Sequence, residues 1–156
     1  MSQSATTPES SASLTALLVP LADRTLLLPN VAVAELIHYR PQSSAPSMPS
    51  WFLGQIPWRD LTLPLLSFEA ASGGRCETGS KARVAVLNAL GGRDHVKFIA
   101  LLVQGIPRSV KVDSGLARSD VTLAPLELDA VNLGDVLARI PDLAALEQKL
   151  ADAGLI

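Results

Sequence analysis

Two histidines, one cysteine and a glycine-rich run ending in lysine are the residues of this 156-residue chain best suited to chemistry. None sits in the pattern that its chemistry needs. His38 opens a stretch holding three prolines and four serines, and His95 follows the turn residues Gly91-Gly92-Arg93-Asp94. Two histidines without Cys or Glu at ligand spacing do not make a metal set. Cys76 has no His or basic helix end fixed beside it to lower its pKa, and being single it excludes an internal disulfide. Gly74, four residues, then Gly79-Ser80-Lys81 imitate a phosphate-binding loop, but the lysine follows the serine instead of preceding it. A phosphate loop also needs a helix behind it, and Arg83 to Ala89 alternates like a strand. There is no Gly-x-Ser-x-Gly elbow, no His-Glu-x-x-His and no carboxylate pair at a fixed spacing. No enzyme site assembles itself from these residues, and Arg59 is the remaining candidate. It stands between Trp58 and Asp60 as the polar tip between two apolar arms. A guanidinium there is either merely solvated or a recognition donor.

The element that presents Arg59 is a predicted β-hairpin over Trp51 to Phe68, which holds both tryptophans and two of the three phenylalanines. Its second arm sets Leu61, Leu63 and Leu65 on one side and Thr62, Pro64, Leu66 and Phe68 on the other, as a strand packed on two faces would. Pro57 and Pro64 cannot donate to a ladder, so each belongs at a strand end, an edge or a bulge. Trp51, Phe52 and Trp58 are core residues if buried and binding anchors if exposed. Before this hairpin, Leu14 to Leu21 and Thr25 to Leu28 form another around Ala22-Asp23-Arg24. Val31 to Ile37 reads as a short helix capped by Asn30 or as an irregular strand. Glu69 to Ser80 is a polar, glycine-rich break. A further hairpin pairs Arg83 to Ala89 with Val96 to Gln104, and another pairs Leu126 to Asn132 with Val136 to Ile140 around a Gly134 turn. A helix follows Pro141, with Asp142 as its cap, Leu143, Leu146 and Leu150 as its apolar stripe, and Gly154 at its end.

Composition narrows the function classes. With 48% hydrophobic and 18% charged residues the chain has the means to build a core and to carry an apolar docking surface. A formal net charge of −2 gives no electrostatic case for nucleic acid or anionic membrane. Met1 to Ser13 is Ser/Thr/Pro-rich without a basic start and apolar run, which reads as a disordered tail and not a secretory signal. Neither Leu26–Ile37 nor Phe98–Ile106 reaches the roughly 20 apolar residues of a membrane span. A cytoplasmic location is expected.

Three motifs in order carry a resemblance to a known family. Leu28-Pro29 is followed by Val33, Glu35 and Leu36. Leu53-Gly54 is followed by Trp58-Arg59 and then by Pro64-Leu65-Leu66-Ser67-Phe68. An apolar run ends in Val103-Gln104-Gly105-Ile106. In this pattern the chain resembles the CheW-like coupling domain of bacterial chemosensory systems, over about Leu14 to Leu150. It departs at Asp60, where the family has the turn glycine, and at Ser67 and Gln104, where it has acids. The resemblance implies a mainly β fold of two SH3-like five-stranded β-barrel subdomains with short helices, over residues 14–75 and 80–156, the latter closing with the C-terminal helix. It implies a non-catalytic adaptor, with no cofactor, docking a methyl-accepting chemoreceptor's cytoplasmic tip to the regulatory domain of a CheA-type histidine kinase. The pathway would be chemotaxis or pilus-linked motility. Arg59, Val33, Glu35 and Trp58 become the partner-binding residues, Arg59 in the region that couples receptor and kinase, Val33 and Glu35 on the receptor-facing surface. The other reading of the chain is a small-molecule-binding or hydrolytic barrel built on the Ser/Gly-rich loops.

Overall fold

A computed structural model describes residues 14–40, 47–113 and 116–156. The expected tail, 1–13, and the middle of the proline-rich loop, 41–46, lie outside the described residues. Eleven strands are present among the described residues: β1 Leu14–Pro20, β2 Thr25–Pro29, β3 Val33–His38, β4 Phe52–Trp58, β5 Leu61–Leu66, β6 Arg83–Asn88, β7 Phe98–Val103, β8 Arg108–Val112, β9 Ala117–Arg118, β10 Glu127–Leu133 and β11 Val136–Pro141. One turn of helix, α1 Phe68–Ala71, follows β5, and α2 Leu143–Asp152 follows β11.

The strands form a six-stranded sheet ordered β8-β1-β2-β11-β10-β9 and a five-stranded sheet ordered β3-β6-β7-β5-β4. All four predicted hairpins are present, β1 with β2, β4 with β5, β6 with β7, and β10 with β11. What joins them is non-local: β11 runs parallel to β2, β5 runs parallel to β7, and β8 pairs with β1. The five-stranded sheet draws on Val33 to Val103, so the expected boundary at residues 75–80 falls inside it. Leu14 to Pro29 instead joins the C-terminal strands.

Strand periodicity explains how the sheets pack. Along β6, Val84 and Val86 face one apolar cluster while Ala85 and Leu87 face another, and β7 divides Ala100 from Ile99, Leu101 and Val103 in the same way. Both faces of these strands are buried, so they read as continuous apolar runs. One cluster lies within the five-stranded sheet, around Ile56, Trp58, Leu63 and Leu65. A second lies within the six-stranded sheet, around Ala16, Leu18, Leu27, Val131 and Ala138. The largest lies between the sheets and includes Leu26, Leu28, Phe68, Leu87 and Leu101 together with Leu143, Leu146 and Leu150 of α2. The fold is thus mainly β, with two barrel-like subdomains sharing a central core.

Local chemistry sets the ends of these elements. The Asp142 carboxylate accepts the Ala145 N–H at 3.0 Å and caps α2 as expected. The stretch after Pro29 is both things the sequence left open, a 3-10 turn over Asn30–Ala32 and then β3, and no side chain caps the turn. Asn30 instead lies within that turn. Glu69 to Ser80 opens with α1, a helical turn not expected there. Ser67, where the family has an acid, caps it by accepting the Ala70 N–H at 3.2 Å. Gln104 does what an acid could not, since its amide accepts from the Gly79 N–H at 2.8 Å and donates to the Glu77 carbonyl at 2.7 Å.

Candidate functional site

The β4–β5 hairpin turns on Arg59 and Asp60 alone, both with positive φ, 47° and 65°. Such a two-residue turn matches the twist of the flanking strands but favours glycine, which the family carries at the second position. Asp60 tolerates the left-handed conformation better than most residues. The turn throws the Arg59 guanidinium outward, and its side chain is 69% exposed.

Glu35 reaches the same point from β3. Its Oε1 accepts the Trp58 indole N–H at 2.9 Å and a guanidinium N–H of Arg59 at 3.2 Å. The Arg59 guanidinium lies 4.6 Å from the centre of the Trp58 ring, a cation–π distance. Trp58 is in turn met edge-on by Phe98, with ring centres 4.7 Å apart at 64°. Three of the four residues named from the sequence therefore form one cluster although Glu35 and Arg59 are 24 positions apart. Val33 stands apart from it. Its half-buried side chain packs on the central core, and a register shift in the β3–β6 ladder separates it from Glu35. Trp51, Phe52 and Trp58 are all buried, so the core reading holds for the three aromatics, and Trp58 also turns its indole N–H to Glu35 and its ring face to Arg59.

Phe98 and three buried carboxylates are what sequence reasoning missed. Glu127 accepts from Arg24 at 2.8 Å and from Arg139 at 2.7 Å. Glu147, on α2, accepts from the Leu90 and Gly91 backbone and from Arg93, and a Cβ at Gly91 would collide with it. Glu69 accepts from the Ala22 N–H at 2.9 Å, and among the described residues no cation pairs with its carboxylate. Burial of Glu69 pushes its carboxyl above the ordinary range, while the Arg24 hydrogen bond holds Asp23 below it. These groups fasten loops to the core. The only signal in the sequence was charge inside apolar segments, and nothing there pairs Glu127 with Arg24 across 103 positions.

The loop features weighed for chemistry do not assemble a site. A concavity of about 350 Å³ is lined by Ala22, the 77–81 loop and Gln104, but its Gly79 N–H and Glu77 carbonyl are already bonded to Gln104. His38 and His95 are exposed, and Cys76 is half-buried. Among the described residues no three His, Cys, Asp or Glu side chains gather as a metal would need, and no helix is long and apolar enough to cross a membrane. An apolar groove of about 410 Å³ does open on the six-stranded sheet, with Leu14, Leu28, Val31, Val112, Leu116 and Ile140 on its walls.

Comparison with known proteins agrees with the fold. The family model described as CheW-like domain matches residues 15–150. The scaffolding protein TtCheW from Thermoanaerobacter tengcongensis, known from its crystal structure, superposes with a TM-score of 0.71 at 18% identity, over 85% of this chain and 86% of that one. No curated protein sequence matches the chain.

Proposed function

We propose, from the premise that the chain belongs to the CheW-like domain family, that it is a non-catalytic cytoplasmic adaptor joining a chemoreceptor tip to the regulatory domain of a CheA-type histidine kinase. The observation that carries this reading is the meeting of Glu35, Trp58 and Arg59 at one hairpin tip. The family pattern names these positions, and the fold brings them to a single surface where two charged side chains remain in contact with solvent. A charged pair mounted on a buried aromatic suits recognition, because the aromatic fixes the geometry and the charges set specificity. The apolar groove beside Leu14 and Val31, 64% and 79% exposed, offers burial without chemistry, as docking surfaces do. Val33 contributes through the backbone course of β3 more than through its own half-buried side chain. No cofactor is required.

The small-molecule or hydrolytic reading gains nothing specific, since at the Ser/Gly-rich loop the Gly79 N–H and the Glu77 carbonyl are already bonded to Gln104. The experiment is affinity capture of the tagged full chain from the native cytoplasm. A histidine kinase and a chemoreceptor should co-purify, and capture that recovers neither would overturn the adaptor reading. Which motility apparatus is served, flagellar or pilus-linked, follows from the identity of the captured receptor.

A further inference from the structure

Strands β3 and β4 are the two outer strands of the five-stranded sheet, so no backbone ladder joins them. The sheet curls until these edges approach, and the bonds from Trp58 and Arg59 to Glu35 span the seam between them. Filling the core beneath would need only an apolar side chain of similar size. An indole adds two things that Leu or Phe would not supply together, a donor at its outer edge and an electron-rich face for a cation. The structure uses both at once: the N–H holds Glu35, the ring carries Arg59, and Phe98 fixes the tilt of the ring from below.

Resting on the adaptor reading, we infer that Trp58 is the positioning residue of the docking site, presenting Glu35 and Arg59 to the partner as one preformed pair. Both bonds fall on a single oxygen of Glu35, Oε1. Glu35 Oε2 and the remaining N–H groups of Arg59 then form an adjoining acceptor and donor edge. Such an edge fits a partner that offers a carboxylate to Arg59 and a donor to Glu35 side by side. Holding the pair still before contact removes ordering cost from association, which is where preorganisation raises affinity.

The test uses the full chain with two probes, a CheA-type kinase regulatory-domain fragment and a chemoreceptor cytoplasmic-tip fragment. Trp58→Phe keeps most of the ring volume and removes the N–H. For the fragment whose binding depends on Arg59, it should lower affinity about tenfold, the usual worth of a hydrogen bond to a charged group. A double-mutant cycle of Glu35→Gln and Arg59→Ala should show coupling in the native background and weaker coupling in the Trp58→Phe background. Loss of melting temperature with that coupling intact would make Trp58 structural only and overturn the inference. If Trp58→Phe fails to fold, the indole ¹⁵N–¹H resonance of Trp58 in the otherwise native chain, assigned with Trp51→Phe, decides. It should move in Glu35→Gln, and an unmoved resonance overturns the inference. The two readings fail separately: Arg59→Glu without loss for either fragment removes the docking reading, whereas Arg59→Glu losing affinity that Trp58→Phe retains removes only the positioning role.

Discussion

Glu127 and Glu35 each collect two donors from distant parts of the chain, and burial separates what they achieve. The Glu127 side chain is 1% exposed and its arginines 11% and 20%, whereas Glu35 is 40% exposed and Arg59 69%. Around Glu127 the ions are withdrawn from water, so the arrangement holds only while every partner is present. Arg24 comes from the β1–β2 turn, Arg139 from β11 and Glu127 from the start of β10, so one carboxylate ties together the strands that make the six-stranded sheet discontinuous in sequence. At the hairpin tip the same pairing of ions remains wet, contributes little to folding and stays available to a partner. The same chemistry serves the fold in one sheet and, under the proposed function, recognition in the other.

The sharpest way to break this contrast is to remove Glu127. Glu127→Ala leaves two confined guanidinium groups without their shared acceptor and should cost about 3–5 kcal/mol in chemical denaturation. Glu35→Ala measured alongside it should cost no more than about 1 kcal/mol. Equal losses would mean that the exposed pair is structural after all. Glu147→Ala ranks next, at about 2–3 kcal/mol, because it leaves the Leu90 and Gly91 N–H groups without their acceptor and Arg93 with Gln148 alone. Faster hydrogen exchange should be confined to the loop before β7 and to α2.

Glu69 extends the comparison to a buried carboxylate that no cation pairs with among the described residues. The folded chain holds its proton more tightly than the unfolded chain does, because burial disfavours the anion. In the window above the ordinary glutamate range the native state then binds more protons, so stability from this group rises as pH falls into that window and is lost as pH rises through the raised value. Asp23 works in the opposite sense. Its folded-state value is depressed, so its contribution is present above the unfolded value and is lost as pH falls through the folded one. Glu69→Gln should therefore flatten the melting temperature between mildly acidic and neutral pH, with the gain over the native chain largest at neutral pH. A profile identical to that of the native chain would show that Glu69 does not titrate there. The smallest effect belongs to Asp60→Gly, which relieves a non-glycine residue at φ 65° and should stabilise the fold by about 0.5–1 kcal/mol without changing partner affinity.

Local periodicity made the hairpins and α2 legible, because a strand or helix writes its own alternation into neighbouring residues. Sheet order was not legible. Nothing in Leu26 or Arg139 shows that β2 and β11 run side by side, and the division of the chain at residues 75–80 was carried by the resemblance and a polar break. That break is polar in sequence, yet its Glu69 and Ser72 are buried, as is Ser67 just before it, with partners supplied from the β1–β2 turn, from each other and from the Pro125 carbonyl. At the candidate site the residue types were legible through the family pattern, and their meeting on one carboxylate was not. A register shift after Val33 sets where Glu35 falls on β3, and Leu53 and Gly54 accommodate another in β4, where Gly54 takes a φ of 122°. Such shifts leave no regular mark in an alternation.

The central claim is that Arg59 belongs to recognition and not to the fold. Arg59→Glu, examined on a single preparation by thermal melting and by titration against receptor and kinase fragments, tests it most directly. The account predicts a stability change within about 0.5 kcal/mol, as for other exposed sites. It also predicts loss of about 2–5 kcal/mol of binding to at least one fragment, the range for truncating an interfacial charge pair. A collapsed melt, or undiminished binding to both fragments, would contradict it.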